Sequence, residues 1–222
     1  MPIDSAEVAR LILAGQALPP EWAPDIAELR LERSFLTDLC PLAALTNLRR
    51  LYLTRSRISD VTPLASLIRL QRLHLSFTAV SDVTALTGMT ELGGLFLTGS
   101  LVADVSPLAG LFNLERLDLG DTQVSDAAPL GGLISLRCLD LSNSRVTDLA
   151  PLATLTELQY LDLSGTPIGD LSPLAGLAKL RRLDLRGTQP LDRSVLEHLN
   201  CELVLTPQVP RRRRIPADKR NP

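Results

Sequence analysis

The chain has 222 residues, 25 acidic against 23 basic, a net charge of −2 and 45% hydrophobic positions, yet only seven Phe, Tyr and Trp residues against 49 leucines. Its length fits one domain or two small ones. The near-neutral charge argues against a whole-surface nucleic-acid or membrane field, and aromatic rings, which normally dominate core burial, are too few to fill this interior. Cys40, Cys138 and Cys201 are odd in number and far apart, matching neither a metal spacing nor a disulfide framework. A reduced, cytoplasmic setting is the simpler expectation. The N-terminal stretch lacks a basic segment ahead of its apolar residues and is broken by Asp4, Glu7 and Arg10. It does not read as a signal peptide, although export by other routes stays open. No apolar run reaches membrane-spanning length.

In chain order, residues 4–14 read as an amphipathic helix capped by Asp4 or Ser5, with Val8, Leu11 and Ile12 on one face and Gly15 at its stop. Pro19, Pro20 and Trp22 then lead into the first strand, with Trp22 expected in the core. From Ile26 a pattern LxxLxL recurs every 22 residues without insertion or deletion, starting at Ile26, Leu48, Leu70, Leu92, Leu114, Leu136, Leu158 and Leu180. Further apolar columns run from Leu36 to Ile168, from Leu42 to Leu174 and from Leu45 to Leu177. A strict period of this length signals a stack of coils with a shared core. Each buried leucine is worth roughly 1.5–3 kcal/mol relative to exposure.

The polar columns predict the turns. Ser34, Ser56, Thr78, Ser100, Thr122, Ser144, Thr166 and Thr188 share one position, where a hydroxyl can bond the backbone at the bend from strand to loop. Asp38, Asp60, Asp82, Asp104, Asp126, Asp148 and Asp170 share another, followed three residues later by Pro in all but one repeat. In Asp-Val-Thr-Pro, Thr62 is expected as N-cap and Pro63 as the first helical residue. About six residues remain before the next strand, room only for a short 3₁₀ or α turn.

These columns resemble a leucine-rich repeat of the 22-residue type found in bacterial internalins and the SDS22-like group, over residues 26–190. The resemblance implies an α/β fold: a right-handed curved solenoid, or horseshoe, with a parallel β-sheet on the concave face and short 3₁₀ or α turns on the convex one. It also implies a non-catalytic protein-interaction module that binds a partner through the concave face. A secreted or injected bacterial effector, binding a host protein as internalins do, is the alternative it carries. The usual Asn ladder of the family is replaced here by Ser and Thr, which satisfy fewer backbone groups.

Residues 1–25 then read as an N-terminal helical cap and residues 191–206 as a C-terminal cap of helix plus strand. Leu191, Val195, Leu196 and Leu199 would share the helical face, and the strand from Cys201 to Leu205 arrives two residues early. From 207 to 222 the composition turns basic, about +5 net with Arg211, Arg212, Arg213 and Arg214 in a run, and too apolar-poor to fold alone. A disordered basic tail is expected. Nucleic-acid binding is not expected except through that run, where no aromatics are interleaved for base stacking.

Strand alternation aims the residues between the leucines away from the core. One outward row reads Arg30, Tyr52, His74, Phe96, Asp118, Asp140, Asp162, Asp184; the other includes Arg50, Arg72, Arg116, Cys138, Tyr160 and Arg182. With Phe77 nearby, the first half gathers Arg and aromatic side chains, the types that dominate binding hot spots. The second half gathers carboxylates that would favour a basic partner region and raise one another's pKa. The partner-binding set expected from sequence is therefore Arg30, Arg50, Tyr52, Arg72, His74, Phe77, Phe96, Arg116, Asp118, Asp140, Tyr160, Asp162, Arg182 and Asp184. No metal is expected, since adjacent Asp pairs lack the caged oxygens Ca²⁺ or Mg²⁺ require. No cofactor and no catalysis are expected either: at sheet spacing His74 stands about 10 Å from Asp118 and about 14 Å from Cys138.

Overall fold

The computed structural model describes residues 5–16, 18–189, 192–197 and 199–205. Leu191, His198 and the expected basic tail lie outside the described residues. Strands β1 (Glu28–Arg30), β2 (Arg50–Tyr52), β3 (Arg72–His74), β4 (Gly94–Phe96), β5 (Arg116–Asp118), β6 (Cys138–Asp140), β7 (Tyr160–Asp162), β8 (Arg182–Asp184) and β9 (Glu202–Val204) form one open parallel sheet in sequence order. From β1 to β8 the register is one repeat per strand, Leu29 on Leu51, Leu51 on Leu73 and so on. Each strand is the three-residue x-L-x segment centred on the second leucine of LxxLxL.

The repeated leucines point into a single core and are almost wholly buried, from Leu29 in β1 to Leu183 in β8. Val8 and Ile12 of helix α1 (Ser5–Leu13) close its first end, and Trp22 packs against it partly buried. The other end is covered by a single 3₁₀ turn, Ser194–Leu196, in place of a cap helix, and by β9. Strand β9 pairs with β8 as Arg182 on Glu202, twenty residues on. The C-terminal cap is thus a further coil shortened by two residues. No described helix is long and apolar enough to cross a membrane.

The turns are held differently from the sequence expectation. The 3₁₀ helix Thr62–Ser66 starts at Thr62 with Pro63 second, so Val61 rather than Thr62 stands at the N-cap, with no side-chain capping bond. The Asp column supplies it instead: Asp60 Oδ1 accepts the Thr62 N–H at 2.8 Å, and Asp38, Asp82, Asp104, Asp126, Asp148 and Asp170 repeat the bond two residues onward. A carboxylate one bond shorter than Glu reaches its second neighbour's N–H naturally, forming an Asx turn that satisfies a donor the short helix leaves free. Asp192, one further period along, does the same for Ser194 at 3.0 Å.

The Ser/Thr column bonds within its own coil. The hydroxyls of Ser34, Ser56, Thr78, Thr122, Thr166 and Thr188 each donate to the carbonyl three residues earlier, as from Thr122 to Leu119 at 2.6 Å. Those of Ser100 and Ser144 are buried with no partner among the described residues. One residue before this column the backbone turns left-handed in every repeat, with φ of 53° at Arg33, 59° at Arg55, 57° at Phe77, 64° at Gly99, 54° at Asp121, 52° at Asn143, 68° at Gly165 and 71° at Gly187.

Candidate functional site

The outward row assembles on the sheet as its register demands. Arg30, Tyr52, His74 and Phe96 occupy matching positions on β1 to β4. The Arg30 guanidinium lies 4.1 Å from the centre of the Tyr52 ring. Tyr52 and His74 stack at 4.6 Å and 20°, and His74 and Phe96 at 4.1 Å and 7°. A spacing of about 4.8 Å between parallel strands is close to ring-stacking distance, so identical positions on neighbouring strands place planar groups face to face. The result is a continuous stack of four planar side chains with their edges outward. His74 Nε2 is buried and has no hydrogen-bond partner among the described residues. Burial first, then the nearby Arg72 and Arg30 charges, holds the imidazole below its usual pKa against the pull of Asp118. It stands neutral in the stack.

The arginines beside the stack are partly committed. Glu28 accepts from Arg30 at 2.9 Å and from Arg50 at 3.0 Å, a clamp across β1 and β2. Phe77, expected near the stack, sits on the turn after β3, its ring under Arg55 at 5.1 Å. Phe35, on the turn after β1, is 79% exposed and carries Arg57 at 4.7 Å. Phe35 was not among the sequence candidates because its own column, Phe35, Arg57, Ala79, Leu101, Gln123 and Arg145, shares no property that marks it.

The carboxylate row continues the same line on β5 to β8. Asp118, Asp140, Asp162 and Asp184 each turn one oxygen onto the N–H two residues ahead, at 3.1, 2.8, 2.8 and 3.0 Å. Burial pushes the Asp140 carboxyl above the usual carboxylate range, its hydrogen bonds from Ser142 oppose this, and Asp118 and Asp162 on either side push it further up. Asp184 is 3% exposed, but Arg186, at 2.8 Å, more than offsets the burial and holds it below that range. Arg116, Cys138, exposed Tyr160 and Arg182 share this half, around a hollow of about 360 Å³ floored by Leu117, Leu139 and Leu161. Arg182 reaches Glu202 at 3.7 Å.

Among the described residues, the side chains that sequence offered for catalysis lie apart. His74, Asp118 and Cys138 lie on β3, β5 and β6, and the Ser76 hydroxyl points to Thr98 at 3.4 Å. Asp38 raises the Cys40 thiol and burial raises that of Cys201, the reverse of an activated thiolate. Among the described residues no group of three or more His, Cys, Asp or Glu is placed to hold a metal ion, and all three cysteines are free.

Two segments, residues 113–154 and 156–199, match the family model for leucine-rich repeats in two copies. The crystal structure of internalin C2 from Listeria monocytogenes is 34% identical, with 92% of this chain and 94% of that one covered at a TM-score of 0.83. The chain is an internalin-like leucine-rich-repeat protein. A second Listeria monocytogenes internalin, inlF, superposes at a TM-score of 0.63 with 24% identity over 90% of this chain and 74% of that one. The repeat ectodomain of the Arabidopsis thaliana receptor kinase GASSHO1/SCHENGEN3, in complex with CASPARIAN STRIP INTEGRITY FACTOR 2, shares the fold at a TM-score of 0.71, 24% identity, 84% of this chain and 28% of that one. A search of curated proteins finds no match. Leucine-rich-repeat proteins are in general protein-interaction modules and typically non-catalytic. In this internalin-like chain the outward face of the repeats is divided at Phe96, with stacked rings before it and a carboxylate-lined hollow after it.

Proposed function

We propose that the concave face docks a protein partner without catalysis, along one line from Arg30 to Asp162. The observation that carries this reading is the four-membered stack Arg30–Tyr52–His74–Phe96 on the outer side of the sheet. None of these side chains belongs to the leucine core, so the fold does not need them there. A ledge of pre-stacked ring edges offers contact area with little entropy left to lose, which is what binding hot spots require. Asp118, Asp140 and Asp162 then orient a basic stretch of the partner, while Arg50 and Arg72 border the ledge. The repeat ectodomain solved with CASPARIAN STRIP INTEGRITY FACTOR 2 is a complex of the same fold.

The test uses the intact protein and a Y52A/H74A/F96A variant as baits for co-purification from the source organism, quantified by mass spectrometry. Removing three central contacts should lower recovery of a specific partner at least tenfold, about 1.4 kcal/mol or more. Circular dichroism should be unchanged, since the core leucines are untouched. Equal recovery with both baits sinks the reading.

A further inference from the structure

We infer that the chain's own basic segment, Arg211–Arg214, docks into the carboxylate-lined hollow between β5 and β7 and occupies it until a partner displaces it. The first support is the state of the hollow. It is an open part of the sheet with an apolar floor and an exposed Tyr160 at its wall. Asp118, Asp140 and Asp162 have no salt bridge among the described residues, whereas the next carboxylate in the row, Asp184, has Arg186. Arg116 and Arg182 are the cations that line the hollow beside three half-buried carboxylates and Asp184, and Arg182 also reaches Glu202. Such a row is short of positive charge, and guanidinium groups suit it: each can bond a carboxylate bidentately while its flat face or aliphatic stem lies on a ring.

The second support is reach. Val204 stands beside Asp184, so the chain leaves the sheet at the end of the strands where the carboxylate row lies. From β9 to β6 is three strand spacings, about 14 Å. The six residues from Leu205 to Arg211 span up to about 20 Å when extended, and those to Arg214 about 30 Å. Arg211–Arg214 therefore reaches Asp162, Asp140 and Asp118 without disturbing β9. A tethered segment at this distance acts at a millimolar effective concentration, enough for weak contacts to be populated. A second acidic row, Asp126, Asp148 and Asp170 along the turns, competes poorly. Those side chains are exposed, and none of them lines the hollow between β5 and β7.

Displacement by a partner rests on the proposed function; docking itself does not. The test places an amine in the segment with R212K in the full chain, couples it to carboxylates with a carbodiimide, and maps the linked peptides. Coupling to Asp118, Asp140 or Asp162, abolished at high salt and by D118N/D140N/D162N, is expected. Coupling spread evenly over Asp126, Asp148 and Asp170, or found only between chains in a mixture of ¹⁴N and ¹⁵N copies, overturns it. A tetra-arginine peptide separates the two readings. It should bind several-fold more tightly to R211Q/R212Q/R213Q/R214Q than to the native chain, and equal affinity for both overturns the resident segment while leaving the face free for a basic partner.

Discussion

At the scale of single residues, the repeat is enforced by bonds that are identical in kind but not all made. Thr122 donates a buried hydrogen bond to Leu119, while the Ser100 hydroxyl in the same column is buried without a partner. T122A should cost about 1–2 kcal/mol, losing the bond and a methyl contact. S100A removes an unsatisfied polar group and should be neutral or stabilising by up to about 1 kcal/mol. Denaturant midpoints of the two variants decide this, and equal losses would refute the difference. The left-handed column offers a second contrast. Arg33 holds φ at 53° where Gly165 and Gly187 sit without strain. A side chain there costs about 1–2 kcal/mol and glycine loses about 0.5–1 kcal/mol in unfolded-chain entropy, so R33G should stabilise by about 0.5–1 kcal/mol, read as a higher Tm. Glycine has no such licence to change at position 99, where an added Cβ would stand 2.7 Å from the Phe77 ring. This column escaped the sequence reading because Arg, Phe, Asp, Asn and Gly share no property except the backbone angle imposed on them.

At the scale of elements, each strand donates one outward side chain to a row, and the row's chemistry follows from the spacing. Rings on neighbouring strands stack; carboxylates on neighbouring strands repel. Burial, with Asp118 and Asp162 on either side, raises the Asp140 carboxyl. A carboxyl raised in the folded state is favourable below its unfolded pKa and loses that advantage as pH rises through the folded value. D140N keeps an oxygen for the Ser142 N–H and removes the charge, so it should raise Tm at neutral pH, with the gain vanishing in acid. A Tm difference that grows as pH falls would refute the assignment. The turn carboxylates behave oppositely. The Thr62 hydroxyl and N–H hold Asp60 below its usual range, so its contribution is present at neutral pH and lost as acid protonates it. The row Arg30–Asp184 and its division at Phe96 were legible from strand alternation alone. That the Asp column, not Thr62, caps the turns was not, because an Asx turn and an N-cap share the same letters. Nor was the hollow, whose depth depends on how Tyr160 and the arginines lean over the sheet.

At the scale of the whole molecule, every coil touches only its neighbours, so stability is close to a sum of coil and interface contributions, and the ends decide where opening starts. The N-terminal end rests on a small contact: Val8 and Ile12 are the fully buried side chains that α1 contributes, against the dense leucine columns of the middle coils. Putting serine at both positions removes about 1.5–3 kcal/mol of burial per side chain from that end alone. In a single cooperative globule this loss would lower amide protection everywhere by the same factor. In a stack it should be confined: with V8S/I12S, exchange from Leu31 and Leu53, whose N–H groups pair with β2 and β3, should quicken strongly. Exchange from Leu119 and Leu141, held between β5, β6 and β7, should change little at a temperature well below global unfolding. Hydrogen exchange followed by mass spectrometry reads both ends in one experiment. Uniform loss of protection from β1 to β8 would show that the coils open together, and the concave face would then share one stability from the aromatic stack to the acidic hollow. Loss graded from the N-terminus would mean that the stack on β1 to β4 loosens before the carboxylate row, so the two halves of the proposed binding line would respond separately to damage at the cap.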